Sequence, residues 1–312
     1  MVNNTLNDKV DLSVKIGKLK LQNPIILASG TYGYCDEFEN YMESVPFGAL
    51  ITKGITLKPR SGNSQPRLKE IKNGLINSIG LENIGIDAFI EKKIPILKQK
   101  KIPFIINIAG FSFEEYEKIS KICEINKIEA IEVNVSCPNV KGGCLDFASN
   151  SETLYNLVCL IREVYSGTLI VKLSSVASNC VEQATRVQQA GADAISAINT
   201  VKAMKIKVNI DDSKISFDKI QGGMSGPVIK PIALNYIYTI AQNIKIPIIG
   251  MGGISSLDDI FEFTAVGSSA FQIGTANFIN PAISEFILDD LRKFLLENNY
   301  KTFEEFTSKC RM

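Results

Sequence analysis

Ala190-Gly-Ala-Asp-Ala-Ile-Ser-Ala-Ile198 reads as a helix-ending glycine that feeds a short buried strand. The same entry signal stands at Phe47-Gly-Ala-Leu50 and Val266-Gly-Ser-Ser269. Working outward, short apolar runs alternate with longer amphipathic stretches. The strand candidates are Ile25–Ala28, Ala49–Thr52, Phe104–Ile108, Ala130–Val135, Leu169–Leu173, Ala194–Ile198, Pro247–Gly250 and Ala270–Ile273. Each reads as apolar throughout, as strands covered on both faces should. Eight such units predict an α/β fold, a parallel (β/α)8 TIM barrel; an open doubly wound sheet is the alternative. Residues 11 to 22 alternate apolar and polar about a Gly-Lys turn and predict an N-terminal β-hairpin closing the barrel's bottom. Residues 200 to 228 form a long, Gly-rich insertion after strand 6, too long for a plain connection. No linker divides the chain, so residues 1–312 are expected to form a single barrel domain.

Composition narrows the chemistry. The 312 residues are 45% hydrophobic and 21% charged, enough for a large core. Net charge is +1 with Lys and Arg scattered, which argues against a nucleic-acid or anionic-membrane surface. The apolar runs are too short to span a bilayer, and the first residues do not read as a signal peptide; a cytoplasmic protein is expected. Seven cysteines, an odd number without a C-x-x-C pair, read as free thiols rather than an iron–sulfur or zinc site, and no metal is expected. Histidine is absent, which removes His bases, Ser–His and Cys–His pairs and His-ligated metals. Proton transfer falls to Cys, Lys, Asp, Glu or Tyr.

The thiol best placed for it lies in Ile131-Glu-Val-Asn-Val-Ser-Cys-Pro-Asn-Val140. A strand runs into Asn134, Cys137 and Asn139, and Pro138 keeps Cys137 out of helical geometry. The segment alone fits a core cysteine beside turn asparagines equally well. Gly250-Met-Gly-Gly-Ile-Ser-Ser-Leu-Asp258 follows the seventh strand, with Gly252 and Gly253 open to a ligand and Ser255 with Asp258 as a capping box. Gln272-Ile-Gly-Thr-Ala276 follows the eighth, with Gly274 and Thr275. Loops at these two strand ends form the common phosphate cradle of barrels, with a helix N-terminus facing the anion; ordinary turn punctuation is the plainer alternative. Lys53, Asn107, Lys172, Asn199 and Thr200 also fall at or near strand ends. Lys172 inside Ile170-Val-Lys-Leu173 needs an anion, whether a ligand or a neighbouring carboxylate. Asn77-Ser-Ile-Gly-Leu-Glu-Asn83 reads as a polar turn, and Pro59 to Arg67 as a loop that could shape the mouth of a site.

Together these segments resemble the class 1 dihydroorotate dehydrogenases over nearly the whole chain. The matches are Ala28-Ser-Gly-Thr31, Thr52-Lys-Gly54, Pro59 to Arg67, Asn77 to Asn83, Asn134 to Gly143, Val171-Lys-Leu173, Ile198-Asn-Thr200, Gly222-Gly-Met-Ser-Gly-Pro227, Ile249 to Ile254 and Gly274-Thr-Ala-Asn277. The resemblance implies oxidation of dihydroorotate to orotate on one FMN per chain, in pyrimidine synthesis. It implies Cys137 as general base, in place of the serine of class 2 relatives. Lys53, Asn77, Ser78, Ile79, Gly80, Leu81, Asn134, Asn139, Asn199 and Thr200 would bind substrate. Ala28, Ser29, Gly30, Thr52, Lys53, Asn107, Asn134, Lys172, Ile198, Ser225, Gly226, Gly252, Gly253, Gly274 and Thr275 would bind FMN, with Lys172 facing flavin N1/O2. Ile198 to Met204, Ser225 to Ala233 and Pro247 to Gly253 look like subclass B. That subclass passes electrons to NAD+ through a partner subunit carrying FAD and a [2Fe–2S] cluster, around a homodimer core in a heterotetramer. The alternatives are a subclass A homodimer reducing fumarate, or a flavin barrel acting on another pyrimidine such as uracil. A phosphate-binding isomerase or lyase and a non-catalytic scaffold are the readings without redox chemistry. Ser174-Ser-Val-Ala-Ser178 and Ala203 depart from the family pattern, at no residue assigned to catalysis.

Overall fold

The computed structural model describes residues 10–34, 45–135, 150–174, 179–211 and 214–312. The chain runs through β1 (Val14–Ile16), β2 (Leu19–Leu21), β3 (Ile25–Leu27), β4 (Ala49–Ile51), β5 (Leu68–Ile71), β6 (Gly74–Asn77), α1 (Ile86–Lys92) and α2 (Ile94–Gln99). It continues through β7 (Phe104–Ile108), α3 (Phe113–Ile125), β8 (Ala130–Asn134), α4 (Ser151–Val164), β9 (Thr168–Lys172), α5 (Cys180–Gln189) and β10 (Ala194–Ala197). After β11 (Val201–Asp211) and β12 (Lys214–Ser225) come α6 (Lys230–Ala241), β13 (Ile248–Met251), α7 (Leu257–Ala265) and β14 (Ser268–Ile273). The short α8 (Ala276–Ile279), then α9 (Ile283–Glu297) and α10 (Phe303–Cys310), complete the chain. β3, β4, β7, β8, β9, β10, β13 and β14 close into a barrel, each paired in parallel with its neighbours. This is the expected (β/α)8 barrel.

Side chains on a strand alternate between faces, so every second residue points into the barrel. The lower interior layer is apolar: Ile26, Ile51, Ile105, Ala130, Ile170, Ala194, Ile249 and Ala270 form one buried cluster. Ile16 and Leu21 of the hairpin, 0% and 1% exposed, join that cluster and plug the barrel's lower end, as the alternation of residues 11 to 22 predicts. Two residues further up five strands, the interior turns polar: Asn107, Glu132, Lys172, Ser196 and Gln272, all buried. The strands are therefore not apolar throughout. Their polar members face inward at the end where the loops gather.

Outside the barrel, helices bury their apolar sides against the strands. Their ends are fixed locally: the Asn150 side chain accepts from the Glu152 and Thr153 N–H groups at the start of α4, a cap worth about 1 kcal/mol. Gly191 and Gly267 have positive φ, as helix-ending glycines should, but Gly48 does not. Gly48 is needed for space instead: a Cβ there would lie 2.1 Å from the Asn23 carbonyl oxygen.

The insertion after strand 6 is a long antiparallel hairpin, β11 with β12, joined at its base to β6 and then β5. Asn77 consequently closes a strand and is not part of a turn, as the sequence suggested. Met204, Ile206, Val208 and Ile210 stand on one exposed face of the hairpin with Phe217 and Ile215 opposite Val208 and Ile210.

Candidate active site

A cleft of about 420 Å³ opens at the C-terminal ends of the barrel strands. Lys172 of β9, Met251 of β13 and Gln272 of β14 line it, with Ile198 just past β10 and Ala28 just past β3. Three loops close round it: Ser225-Gly226-Pro227 after β12, Gly252 to Ser255 after β13, and Gly274 to Ala276 after β14. The Thr275 hydroxyl donates to Ser225 Oγ at 2.8 Å and ties the first loop to the third. Gly253 has φ +89, and a Cβ there would lie 2.9 Å from the Gly226 carbonyl oxygen and 3.0 Å from Lys230 Cβ. Only glycine lets the loops meet this closely.

The helix after this loop differs in detail from the sequence reading. The capping box is Ser256 with Asp259, one residue beyond Ser255 with Asp258. The Asp259 carboxylate accepts from the backbone N–H groups of Ser255 and Ser256, at 2.7 and 2.9 Å. The N-terminus of α7 is thus already served by a carboxylate, which leaves the glycine turns to cradle a ligand. Lys230 donates to Asp259 at 2.7 Å and pairs with Glu262 at 2.7 Å. Burial pushes the Asp259 carboxyl up, but the Lys230 ammonium and the Ser255 N–H outweigh it and hold it below the usual carboxylate range. Hydrogen bonds to Asp259 and Glu262 hold the Lys230 ammonium above its ordinary value.

Most predicted site residues come together here. Ala28, Ser29, Gly30, Asn77, Ile79, Lys172, Ile198, Asn199, Thr200, Ser225, Gly226, Gly252, Gly253, Gly274 and Thr275 all line the cleft. Asn134, at the end of β8, sits beside it: Asn199 Nδ2 lies 3.4 Å from Asn134 Oδ1. Asn107 is buried one layer down and donates to Glu132 Oε1 at 2.6 Å. Thr52 supports Asn107, accepting from its N–H at 3.2 Å. Ser78 accepts from Asn63 Nδ2 at 3.1 Å, so it braces the 77–81 loop. Gly80 and Leu81 have positive φ in that loop and stand away from the cleft wall. Lys53 is also off the wall, with Nζ 5.0 Å above the Tyr34 ring. Cys137 and Asn139 lie outside the described residues.

The sequence reading missed Glu132, Gln272 and the apolar rim of Leu68, Leu75, Phe278 and Ile279. It also missed the reason for Gly222-Gly223. A Cβ on Gly222 would lie 1.9 Å from the Asn77 carbonyl oxygen, and one on Gly223 2.0 Å from Thr200 Oγ1. This glycine pair lets β12 pass between two of the predicted substrate residues, and Asn77 Nδ2 donates to the Gly223 carbonyl at 3.1 Å.

The sequence profile of the dihydroorotate dehydrogenases matches residues 11–295. The chain belongs to the dihydroorotate dehydrogenase family. It is 42% identical over 298 residues to the dihydroorotate dehydrogenase B (NAD(+)) catalytic subunit of Geotalea uraniireducens, covering 95% of this chain and 97% of that protein. It is 44% identical over 290 residues to the protein of the same description from Trichlorobacter lovleyi, covering 93% and 95%. The corresponding protein of Thermoanaerobacter sp. (strain X514) is 41% identical over 303 residues, covering 97% and 100%. Membership is consistent with the place of the cleft, since barrel enzymes carry their chemistry at the C-terminal ends of the strands. Among the described residues, no helix is long and apolar enough to cross a membrane, and no group of three or more His, Cys, Asp or Glu is placed to hold a metal.

Proposed function

We propose that this cleft oxidises dihydroorotate to orotate on FMN, and that the chain is the catalytic subunit of an NAD+-linked enzyme working in the cytoplasm. The observation that carries this is the convergence of three glycine-bearing loops and Lys172 on one cleft, in a chain 41–44% identical to subunits of that description. The residues fit FMN. Gly226, Gly253 and Gly274 put no Cβ in the way of a phosphate at the cleft wall, and Lys172 supplies a cation suited to a reduced flavin. The Gln272 Oε1 atom, buried and without a hydrogen-bond partner, is a waiting acceptor in the cleft wall. The volume of about 420 Å³ lies in the range of small-ligand sites.

When bound, FMN supplies the hydride acceptor. The chain's residues do the rest. Cys137 takes the C5 proton; a free thiol has a pKa of about 8.5, so it is partly ionised near neutrality. Asn77, Asn134, Asn139, Asn199 and Thr200 hold the pyrimidine, since each amide offers donor and acceptor to a ring edge that bears both. The Ser78 to Leu81 loop would meet the ring through Ile79, which lines the cleft, and Lys53 would turn from the Tyr34 ring to reach the substrate carboxylate. Ala28 to Gly30, Thr52, Asn107 and Ile198 complete the flavin site. A second subunit carrying FAD and a [2Fe–2S] cluster, docked on a homodimer of this chain, would take the electrons on to NAD+.

The test is acceptor use. The isolated chain with dihydroorotate is expected to reduce artificial dyes but not NAD+, and to gain NAD+ reduction when the partner subunit is added. Robust fumarate reduction by the chain alone would contradict this assignment.

A further inference from the structure

Glu132 is the least expected residue in the barrel. Its side chain is completely buried, in the polar interior layer beneath the cleft. Four other strands converge on it. Asn107 of β7 donates to Oε1 at 2.6 Å; Ser196 of β10 and Gln272 of β14 donate to Oε2 at 2.7 and 2.6 Å. Lys172 Nζ of β9 lies 3.7 Å from Oε1.

A buried carboxylate is costly unless its charge and lone pairs are answered. Here three neutral donors answer three of its four lone pairs, and one ammonium matches the charge. An apolar residue would close this layer more cheaply, so the carboxylate has a use beyond packing. Two uses are visible. First, both amides turn their NH2 groups toward Glu132, so their carbonyl oxygens face away from it. The oxygens Asn107 Oδ1 and Gln272 Oε1 are buried without partners, and Gln272 lines the cleft. Second, Lys172 also lines the cleft, so Glu132 is the counter-charge of the cation at its floor.

We propose that Glu132 is the positioning residue of the cleft floor, fixing Lys172 beside the flavin and setting the net charge the flavin meets there. This rests on the FMN reading above. Glu132 itself does not line the cleft and acts through Lys172.

The test is an anaerobic redox titration of the flavin-loaded chain. It compares the parent with Glu132→Gln, Lys172→Met and the double variant, all at one pH. Glu132→Gln is expected to raise the flavin potential, because the cation loses its counter-charge. Lys172→Met is expected to lower it. In the Lys172→Met background Glu132→Gln has no cation to position, so its effect on the potential should differ from its effect in the parent. An unchanged potential in Glu132→Gln, or an equal shift in both backgrounds, overturns the proposal. If Glu132→Gln fails to fold, the double variant decides. Removing both charges together restores folding where the two act as a pair. A double variant that also fails shows that Glu132 serves only Asn107, Ser196 and Gln272, which overturns the proposal as well. A parent chain that binds no flavin sinks the FMN reading itself, before any variant is compared.

Discussion

Gly222→Ala tests how the hairpin builds the substrate side of the cleft. The new Cβ would lie 1.9 Å from the Asn77 carbonyl oxygen and 2.7 Å from its carbon, where ordinary contact begins at 3.4 Å. Both atoms are backbone, so no rotamer change relieves the overlap. β12 and β6 must separate by about 1.5 Å, the shortfall against ordinary contact. That separation breaks the Gly223–Asn77 register and the bond from Asn77 Nδ2 to the Gly223 carbonyl. Overpacking of this kind costs about 1–3 kcal/mol. The cost falls on the four-stranded sheet outside the barrel, so the barrel remains folded. A displacement of about 1 Å at a positioning group costs on the order of 10²-fold in rate. Gly222→Ala should therefore lose about two orders of magnitude in kcat/KM for dihydroorotate while binding flavin like the parent. Steady-state kinetics with flavin content measured on the same sample reads both. A folded, flavin-loaded Gly222→Ala with the parent's kcat/KM would refute the placement of Asn77 in the substrate site.

Cys137→Ala should leave flavin binding intact and slow flavin reduction by dihydroorotate by on the order of 10²–10⁴, the usual contribution of a positioned base; stopped-flow absorbance measures it. Cys137→Ser should be nearly as slow near neutrality, since no histidine is present to activate a hydroxyl. Asp259→Asn should cost about 2 kcal/mol at neutral pH, through charge-assisted bonds to Lys230 and two backbone N–H groups. The Asp259 carboxyl is depressed in the folded state, so its stabilisation is present above the unfolded value of about 3.9 and is lost as pH falls through the folded one. Denaturant curves of parent and variant should converge in acid, and a gap that persists there would contradict this. Burial pushes the Cys123 thiol up to about 12, so it should stay unalkylated in the native chain under mildly alkaline conditions and react once unfolded; peptide mass spectrometry reads its labelling.

Local signals carried most of the fold. The barrel strands were legible because a buried strand between helices is a short apolar run, and Gly191 and Gly267 mark two of the entries. The plugging hairpin was legible because its period of two is strict. The same period runs through Met204-Lys-Ile-Lys-Val-Asn-Ile210, and it could have identified β11. β5 was hidden because Leu68-Lys-Glu-Ile71 is short and mostly exposed, with two charged residues at its centre, and its partner is supplied only by tertiary pairing. The capping box was off by one because Ser255/Asp258 and Ser256/Asp259 have the same spacing. In the site, residues on glycine loops and strand ends could be named from sequence. The Glu132 network could not, because its members come from five strands and meet only when the barrel closes.

The most direct measurement is an anaerobic titration of the purified chain with dihydroorotate, following flavin absorbance and orotate together. The expected result is about one FMN per chain, bleached with one orotate formed for each flavin reduced. A chain that holds no FMN, or holds FMN that dihydroorotate does not reduce, would contradict the assignment of this cleft.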